Sequence, residues 1–249
     1  MFKKITDILK AREKIHIIRA DMPRHVAITM EKEPKPMHNI NLEDMYNKRT
    51  SLIKDLMNIQ IKFNIPIMTI FLLSVSAKNS ENFSFVMDDL AKFFNKLIED
   101  KRICKEQIKV SILGKWYDLP ERVVNPIKEI IESTKDYDKF FLNFCVNYDG
   151  HEEIADACRL IARQIKSEKI DPESINNQLI KENLYSSYFI SPDLIIENSK
   201  EFSGLLLWDS KISMIFFTDK QWPDFTKIDF FRAIEDFQNK NKTRKLSFS

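Results

Sequence analysis

The chain has almost no glycine. Of its 249 residues only Gly114, Gly150 and Gly204 are glycines. Glycine lets a backbone wrap closely around a phosphate, so this scarcity argues against phosphate-cradling loops. Cysteine is also sparse and scattered. Cys104, Cys145 and Cys158 form no CxxC pair, and they read as buried free thiols of a reducing compartment rather than as a metal site. No run reaches the ~18 apolar residues of a membrane span. The start, MFKKITDILKAREK, is basic but lacks the apolar stretch of a secretory signal. Charge of one sign is not in excess either. Lysine and arginine total 39 against 37 acidic residues, which gives no ground for a nucleic-acid partner. A cytoplasmic protein is expected.

What is present is a core with a rhythm. Hydrophobic residues make up 43% of the chain, enough for one sizeable core. Residues 2 to 19 read as an amphipathic helix, broken by Asp21-Met22-Pro23. Apolar runs at 25 to 30, 67 to 75, 109 to 113, 140 to 146, 194 to 196 and 214 to 217 read as strands. Helical spacing covers 41 to 63, through Leu42, Met45, Leu52, Leu56, Ile59 and Phe63. Further helices are expected over 85 to 98, 120 to 133, 152 to 167 and 229 to 240, with Asp171 capping a short one. The alternation predicts an α/β protein: a single domain over 1 to 249, with a mostly parallel β-sheet flanked by helices. The first 20 residues are its N-terminal helix, and the basic tail from 239 to 249 reads as frayed.

An α/β sheet usually binds its ligand beyond the carboxyl ends of its strands. After the first strand the chain runs Glu31-Lys32-Glu33-Pro34-Lys35-Pro36, without glycine. That stretch acquires meaning from four others. "NFCVNYDGHEEIADACRLIA" at 143 to 162 is similar to N-Y-G-G-R-x-E-I. "SPDLIIENSKEFSGLLLWDSKISMIFFTDKQWPDF" at 191 to 225 is similar to D-P-D-L-x-I-R-x-x-G-E…S-N-F-L-L-W-Q…S-E-L-Y-F-T-D…W-P-D-F. "MPRHVAITM" matches P-x-H-V-A-I-I-M, and "FLLSVSAKNS" matches L-Y-A-F-S-x-E-N-W. Order and spacing agree from about residue 15 to 240. The chain thereby resembles the cis-prenyltransferases, the undecaprenyl diphosphate synthases and their dolichol-pathway relatives. The resemblance implies a parallel sheet with a hydrophobic tunnel, a dimer, and the joining of isopentenyl diphosphate to an allylic diphosphate. Magnesium and basic residues stabilise the leaving diphosphate in that family.

Carried over position by position, the family's M-D-G-N-G-R-W becomes Met30 to Pro36. Glu31 keeps a carboxylate at the magnesium-holding Asp, and Lys35 keeps a cation at the phosphate-pairing Arg. Both glycines are replaced, by Lys32 and Pro34, and proline removes an amide donor. The family's downstream Arg is Asp44, and its His is Lys48. Ser76 and Asn79 keep the Ser and Asn of F-S-x-E-N-W, while Ser80 replaces the Trp. In the isopentenyl diphosphate site the first Arg is Glu197, which would repel a diphosphate. The second Arg has no counterpart, and Ser203 remains. Met214 stands for the magnesium Glu and cannot bind a hard cation. The C-terminal R-x-G is not found. The resemblance thus gives Glu31, Ser76 and Asn79 as catalytic candidates. It gives Arg24, Lys35, Lys48 and Ser203 as substrate-binding candidates, and Glu31 as the metal ligand. Trp208, Phe216, Phe217, Trp222 and Phe225 are given as dimer-interface positions.

The bland alternatives are structural. Glu31 with Lys35 also fits a surface ion pair worth ~0–1 kcal/mol. His25 belongs to the strand entry, His151 fits a cap or a surface position, and His38 carries no specific signal. Phe83, Phe85, Phe93 and Phe94 fit ordinary core as well as a tunnel wall. Three functions follow from this pattern. The first is a catalytically weak or silent subunit that pairs with an active cis-prenyltransferase, as a homodimer or heterodimer. The second is a prenyl diphosphate-using enzyme with an altered acceptor or product, needing magnesium if active. The third, an ordinary elongating synthase, conflicts with the lost arginines. An isoprenoid substrate would also bring the protein to the membrane periphery.

Overall fold

The computed structural model describes residues 5–10, 13–30 and 41–247, with side chains at 15–30 and 41–243. Its centre is a six-stranded sheet: β3 (His25–Thr29), β4 (Ile67–Ser74), β5 (Ile108–Leu113), β6 (Phe140–Tyr148), β7 (Leu194–Glu197) and β8 (Met214–Phe217). The spatial order is β5-β6-β4-β3-β7-β8, and every neighbouring pair is parallel. Parallel neighbours need crossovers. As far as β7 these are supplied by α1 (Leu42–Phe63), α2 (Phe83–Ile98), α3 (Lys101–Lys105), α4 (Glu121–Thr134), α5 (Gly150–Lys166) and α6 (Asn177–Glu182); residues 198–213 join β7 to β8 without an α-helix, and α7 (Lys227–Ser247) closes the chain. The expected α/β domain with its parallel sheet is what forms.

A sheet covered on both faces should read as continuous apolar runs, and β3 and β7 are buried along their whole length. Alternation then divides the side chains between two cores. Val26, Ile28, Met68, Ile70 and Leu72 join a large core with Leu56, Phe94, Ile127 and Phe230. Ala27, Phe71, Cys145 and Ile195 point the other way, to Tyr148, Leu205 and Leu206. Helix ends follow their capping residues. Asn41 accepts the Asp44 N–H at 2.7 Å, and Asp149 accepts from His151 and Glu152. Asn64 ends α1 in the left-handed region, φ 54°.

Three expectations are corrected. The N-terminal segment is not a helix but an antiparallel hairpin, β1 (Ile5–Lys10) with β2 (Glu13–Ile18). Ile15 and Ile17 are buried while His16 between them is exposed, which is a strand's period of two. Helix α7 completes β2's hydrogen bonding: the His16 N–H donates to Glu235 and the Ile18 N–H to Gln238. The second correction concerns the tail, where helical backbone continues to Ser247. The third concerns the thiols. Cys145 is buried, but Cys104 and Cys158 are exposed. No helix among the described residues is long and apolar enough to cross a membrane.

Candidate functional site

The sheet order reverses around β3: β4 was added on one side of it and β7 on the other. Ligands of open α/β sheets bind at such a switch point, beyond the carboxyl ends of the strands. Thr29 ties these ends together. Its hydroxyl donates to Ile196 O at 3.4 Å and accepts the Asn198 N–H at 3.0 Å. Glu31 and Lys35, which follow in sequence, lie outside the described residues, as does His38.

The β4 side of the site is a turn, Val75–Asn79. Ser76 and Asn79 are exposed on it, and Ser76 Oγ lies 2.8 Å from Ser74 Oγ. Among the described residues the Asn79 side chain has no hydrogen-bond partner. Lys78, exposed on the same turn, was missed in the sequence, although it reverses the Glu of F-S-x-E-N-W. A second missed cation lies beneath. Arg49 on α1 is buried and donates to Leu72 O at 3.3 Å and to Asp89 at 2.8 Å. Its guanidinium stands 4.4 Å from the Tyr46 ring centre and 5.7 Å from that of Trp222. Its place on the apolar stripe of Met45, Leu52 and Ile53 was the available signal. Lys48 and Asp44 are exposed on the same helix.

The β7 side is closed. Glu197 is completely buried. Its Oε1 accepts the backbone N–H of Ser203 at 3.1 Å and the Ser203 hydroxyl at 2.9 Å. Ser203 Oγ in turn accepts the Leu205 N–H at 3.2 Å. The donors that an anion would need here are thus satisfied by a carboxylate of the chain itself. Among the described residues no three His, Cys, Asp or Glu side chains come together to hold a metal ion. The described residues do not by themselves fit magnesium.

Other candidates are elsewhere. Arg24 precedes β3, where its N–H donates to Asp193 at 2.6 Å. Five residues at ~3.3 Å each put it on the order of 16 Å from the Thr29 end. Met214 pairs in register with Leu194, while Phe217 pairs with Glu197. Met214 is therefore at the opposite end of the sheet from Glu197, and its identity says nothing about metal binding beside Glu197 in this chain. Trp222 and Phe225 are buried in the chain's own core and cannot face a partner. Phe217 is 47% exposed and Ile212 72%, while Trp208 and Phe216 are half-buried. His25 is structural. Its Nδ1 donates to Ile190 O at 2.6 Å, and its Nε2 meets the Thr69 hydroxyl at 2.8 Å. Burial, the largest influence, lowers its pKa to about 4. His151 is exposed beside Asp149. Phe93 and Phe94 are core, with Phe83 and Phe85 packed against it.

Comparison with known proteins decides the family. The family described as putative undecaprenyl diphosphate synthase matches residues 37–245. The chain belongs to the cis-prenyltransferase family. A tritrans,polycis-undecaprenyl-diphosphate synthase (geranylgeranyl-diphosphate specific) of Methanocaldococcus jannaschii is 32% identical over 94% of this chain and 88% of its own. An isoprenyl transferase of Prochlorococcus marinus is 33% identical over 89% and 83%. Among solved structures, a cis-prenyltransferase-like fold is shared with lavandulyl diphosphate synthase from Lavandula x intermedia. Its TM-score is 0.78 at 23% identity, covering 87% of this chain and 95% of that one. A probable undecaprenyl diphosphate synthase from Campylobacter jejuni gives 0.69 at 23%, covering 88% and 96%. Within this cis-prenyltransferase frame, the candidate positions differ: Ser76, Lys78 and Asn79 beyond β4 are exposed, while Ser203 beyond β7 is bonded to the buried Glu197.

Proposed function

We propose that this cis-prenyltransferase family member binds prenyl diphosphates but is weak or silent in chain elongation by itself, and works as a subunit beside an active homologue. One observation carries this: Ser203 gives both its amide and its hydroxyl to Glu197. A diphosphate entering there would have to displace a buried carboxylate and stand beside its charge. Prenyl diphosphates are supported as ligands by the relatives, whose names are those of polyprenyl diphosphate synthases. Magnesium would enter with the diphosphate, through Glu31 if that residue keeps its role. The partner would meet the outer side of β8, where Ile212 and Phe217 are exposed. The experiment is an elongation assay with magnesium, an allylic diphosphate and isopentenyl diphosphate. The chain alone should give little product, and adding an active homologue from the same genome should raise that homologue's output. A robust polyprenyl diphosphate product from the chain alone would overturn the proposal.

A second function is favoured by the β4 half. Ser76, Lys78 and Asn79 are exposed and available to an allylic diphosphate. An enzyme that keeps the first substrate and takes an uncharged acceptor beside Glu197 would need this asymmetry. Formation of a new prenylated product from an allylic diphosphate without isopentenyl diphosphate distinguishes it.

A further inference from the structure

The segment that carries Ser203 is held from across the sheet. Strands β7 and β6 are separated by β3 and β4, a span of about 14 Å at ~4.8 Å per strand. Residues 198 to 206 leave the end of β7 and reach the end of β6. There the backbone N–H of Leu206 donates to the Tyr148 hydroxyl at 3.1 Å. That hydroxyl donates in turn to Glu153 Oε2 at 2.6 Å. Glu153 Oε1 accepts the Ser186 N–H at 3.1 Å. Tyr148 and Glu153 are both buried.

The backbone shows that the segment is constrained. Leu206 adopts φ 49° and Gly204 φ 80°. A leucine stays in the left-handed region only where its surroundings over-determine it. Gly150, the first residue of α5, is pressed against the same segment: a Cβ there would stand 2.3 Å from Gly204 O. Packing alone does not require the Tyr148 hydroxyl, because a phenylalanine would fill the same space against Phe71, whose ring lies 5.3 Å away. A buried hydroxyl and a buried carboxylate cost free energy unless both find partners. Here each is the other's partner, and the hydroxyl oxygen also accepts the Leu206 N–H of the segment.

We infer that Tyr148 and Glu153 form a latch that positions Ser203, and that they are positioning residues for the acceptor half of the site. They act through Leu206. Leu205 and Gly204 then fix where the Ser203 amide and hydroxyl point. This role rests on Glu197 and Ser203 being that half of the site.

Hydrogen exchange by mass spectrometry on the full chain tests the latch independently of any activity. In Tyr148→Phe, peptides covering 198 to 207 should exchange on the order of tenfold faster or more, with β3, β4 and α1 unchanged. Glu153→Gln keeps an acceptor for the hydroxyl and should retain protection. Glu153→Leu should lose it as Tyr148→Phe does. Unchanged protection in Tyr148→Phe, or equal loosening of the whole sheet, overturns the latch. The positioning role is read with inorganic pyrophosphate. Glu197→Ala frees the Ser203 donors and should bind it about tenfold more tightly than the unmodified chain, the worth of one charge-assisted hydrogen bond. Adding Tyr148→Phe should abolish that gain. A gain that survives in the double variant overturns the positioning role. No gain in Glu197→Ala alone counts against the assignment of Glu197 and Ser203, and the exchange result then decides the latch by itself.

Discussion

The two strands beside β3 end in opposite ways. At the end of β4, Ser76, Lys78 and Asn79 stand exposed on a short turn. At the end of β7, Glu197 is buried and takes both donors of Ser203. At the first end polar groups face solvent; at the second a carboxylate of the chain already takes the donors. Stability and binding are therefore distributed differently. Changes on the β7 side disturb a network that reaches Leu206, Tyr148 and Glu153. Changes on the β4 turn touch groups that few protein contacts depend on.

The largest expected effect lies under the β4 turn. Arg49 is buried and pairs with the partly buried Asp89, side chains 4% and 15% exposed. Removing the carboxylate strands the buried guanidinium, so Asp89→Ala should cost ~3–5 kcal/mol in urea denaturation. A negligible change would show that the open turn does not rest on a rigid base. Next comes acid, acting at the opposite end of the sheet. The folded His25 pKa of about 4 is below the ordinary histidine value of 6.5. The fold therefore favours neutral histidine. Stability is complete above pH 6.5 and declines as pH falls toward 4, by roughly 3 kcal/mol in all. Denaturation midpoints across that range should follow this curve, and a flat profile at His25-specific resolution, after subtraction of a His25→Asn control, would contradict it. Gly150→Ala is third. Its Cβ would collide with Gly204 O, and overpacking of this kind costs ~1–3 kcal/mol. The loss should come with faster exchange in 198 to 207; loss without that exchange would separate α5 from the Ser203 segment. The smallest stability effect belongs to the β4 turn. Ser76→Ala should stay within ~0.5 kcal/mol, while weakening an allylic diphosphate by roughly tenfold, one hydrogen bond to a charged group. Unchanged affinity would remove Ser76 from the open half.

Much of the fold was legible because burial on both faces writes itself as apolar runs. Ile67 to Ser74 and Phe140 to Tyr148 could hardly be anything but interior strands. The N-terminal hairpin was not legible. Ile5, Ile8 and Leu9 allow a helical stripe, and only the contact of β2 with α7 selects the strand. The short helix α3 was also missed; its start rests on the Asp100 side chain accepting from Arg102. Around the site, motif comparison singled out Ser76 and Asn79, which lie on the turn after β4, and Ser203, which lies six residues beyond β7. It could not show that Ser203 bonds Glu197, since that depends on a chain reversal between residues six apart. It also placed Arg24 and Met214 with the site, because motif matching carries over residue identity and ignores that both stand at the amino ends of their strands. Trp222 and Phe225 were assigned to an interface for a related reason: an apolar motif looks the same whether it covers a partner or its own core.

The self-satisfied β7 half is tested most directly by titrating isopentenyl diphosphate, without an allylic substrate, into the unmodified chain and into Glu197→Ala. The account predicts no saturable binding to the unmodified chain and a measurable gain once the carboxylate is removed. Saturable binding by the unmodified chain that Glu197→Ala weakens would contradict it, because Glu197 would then be part of a working isopentenyl diphosphate site.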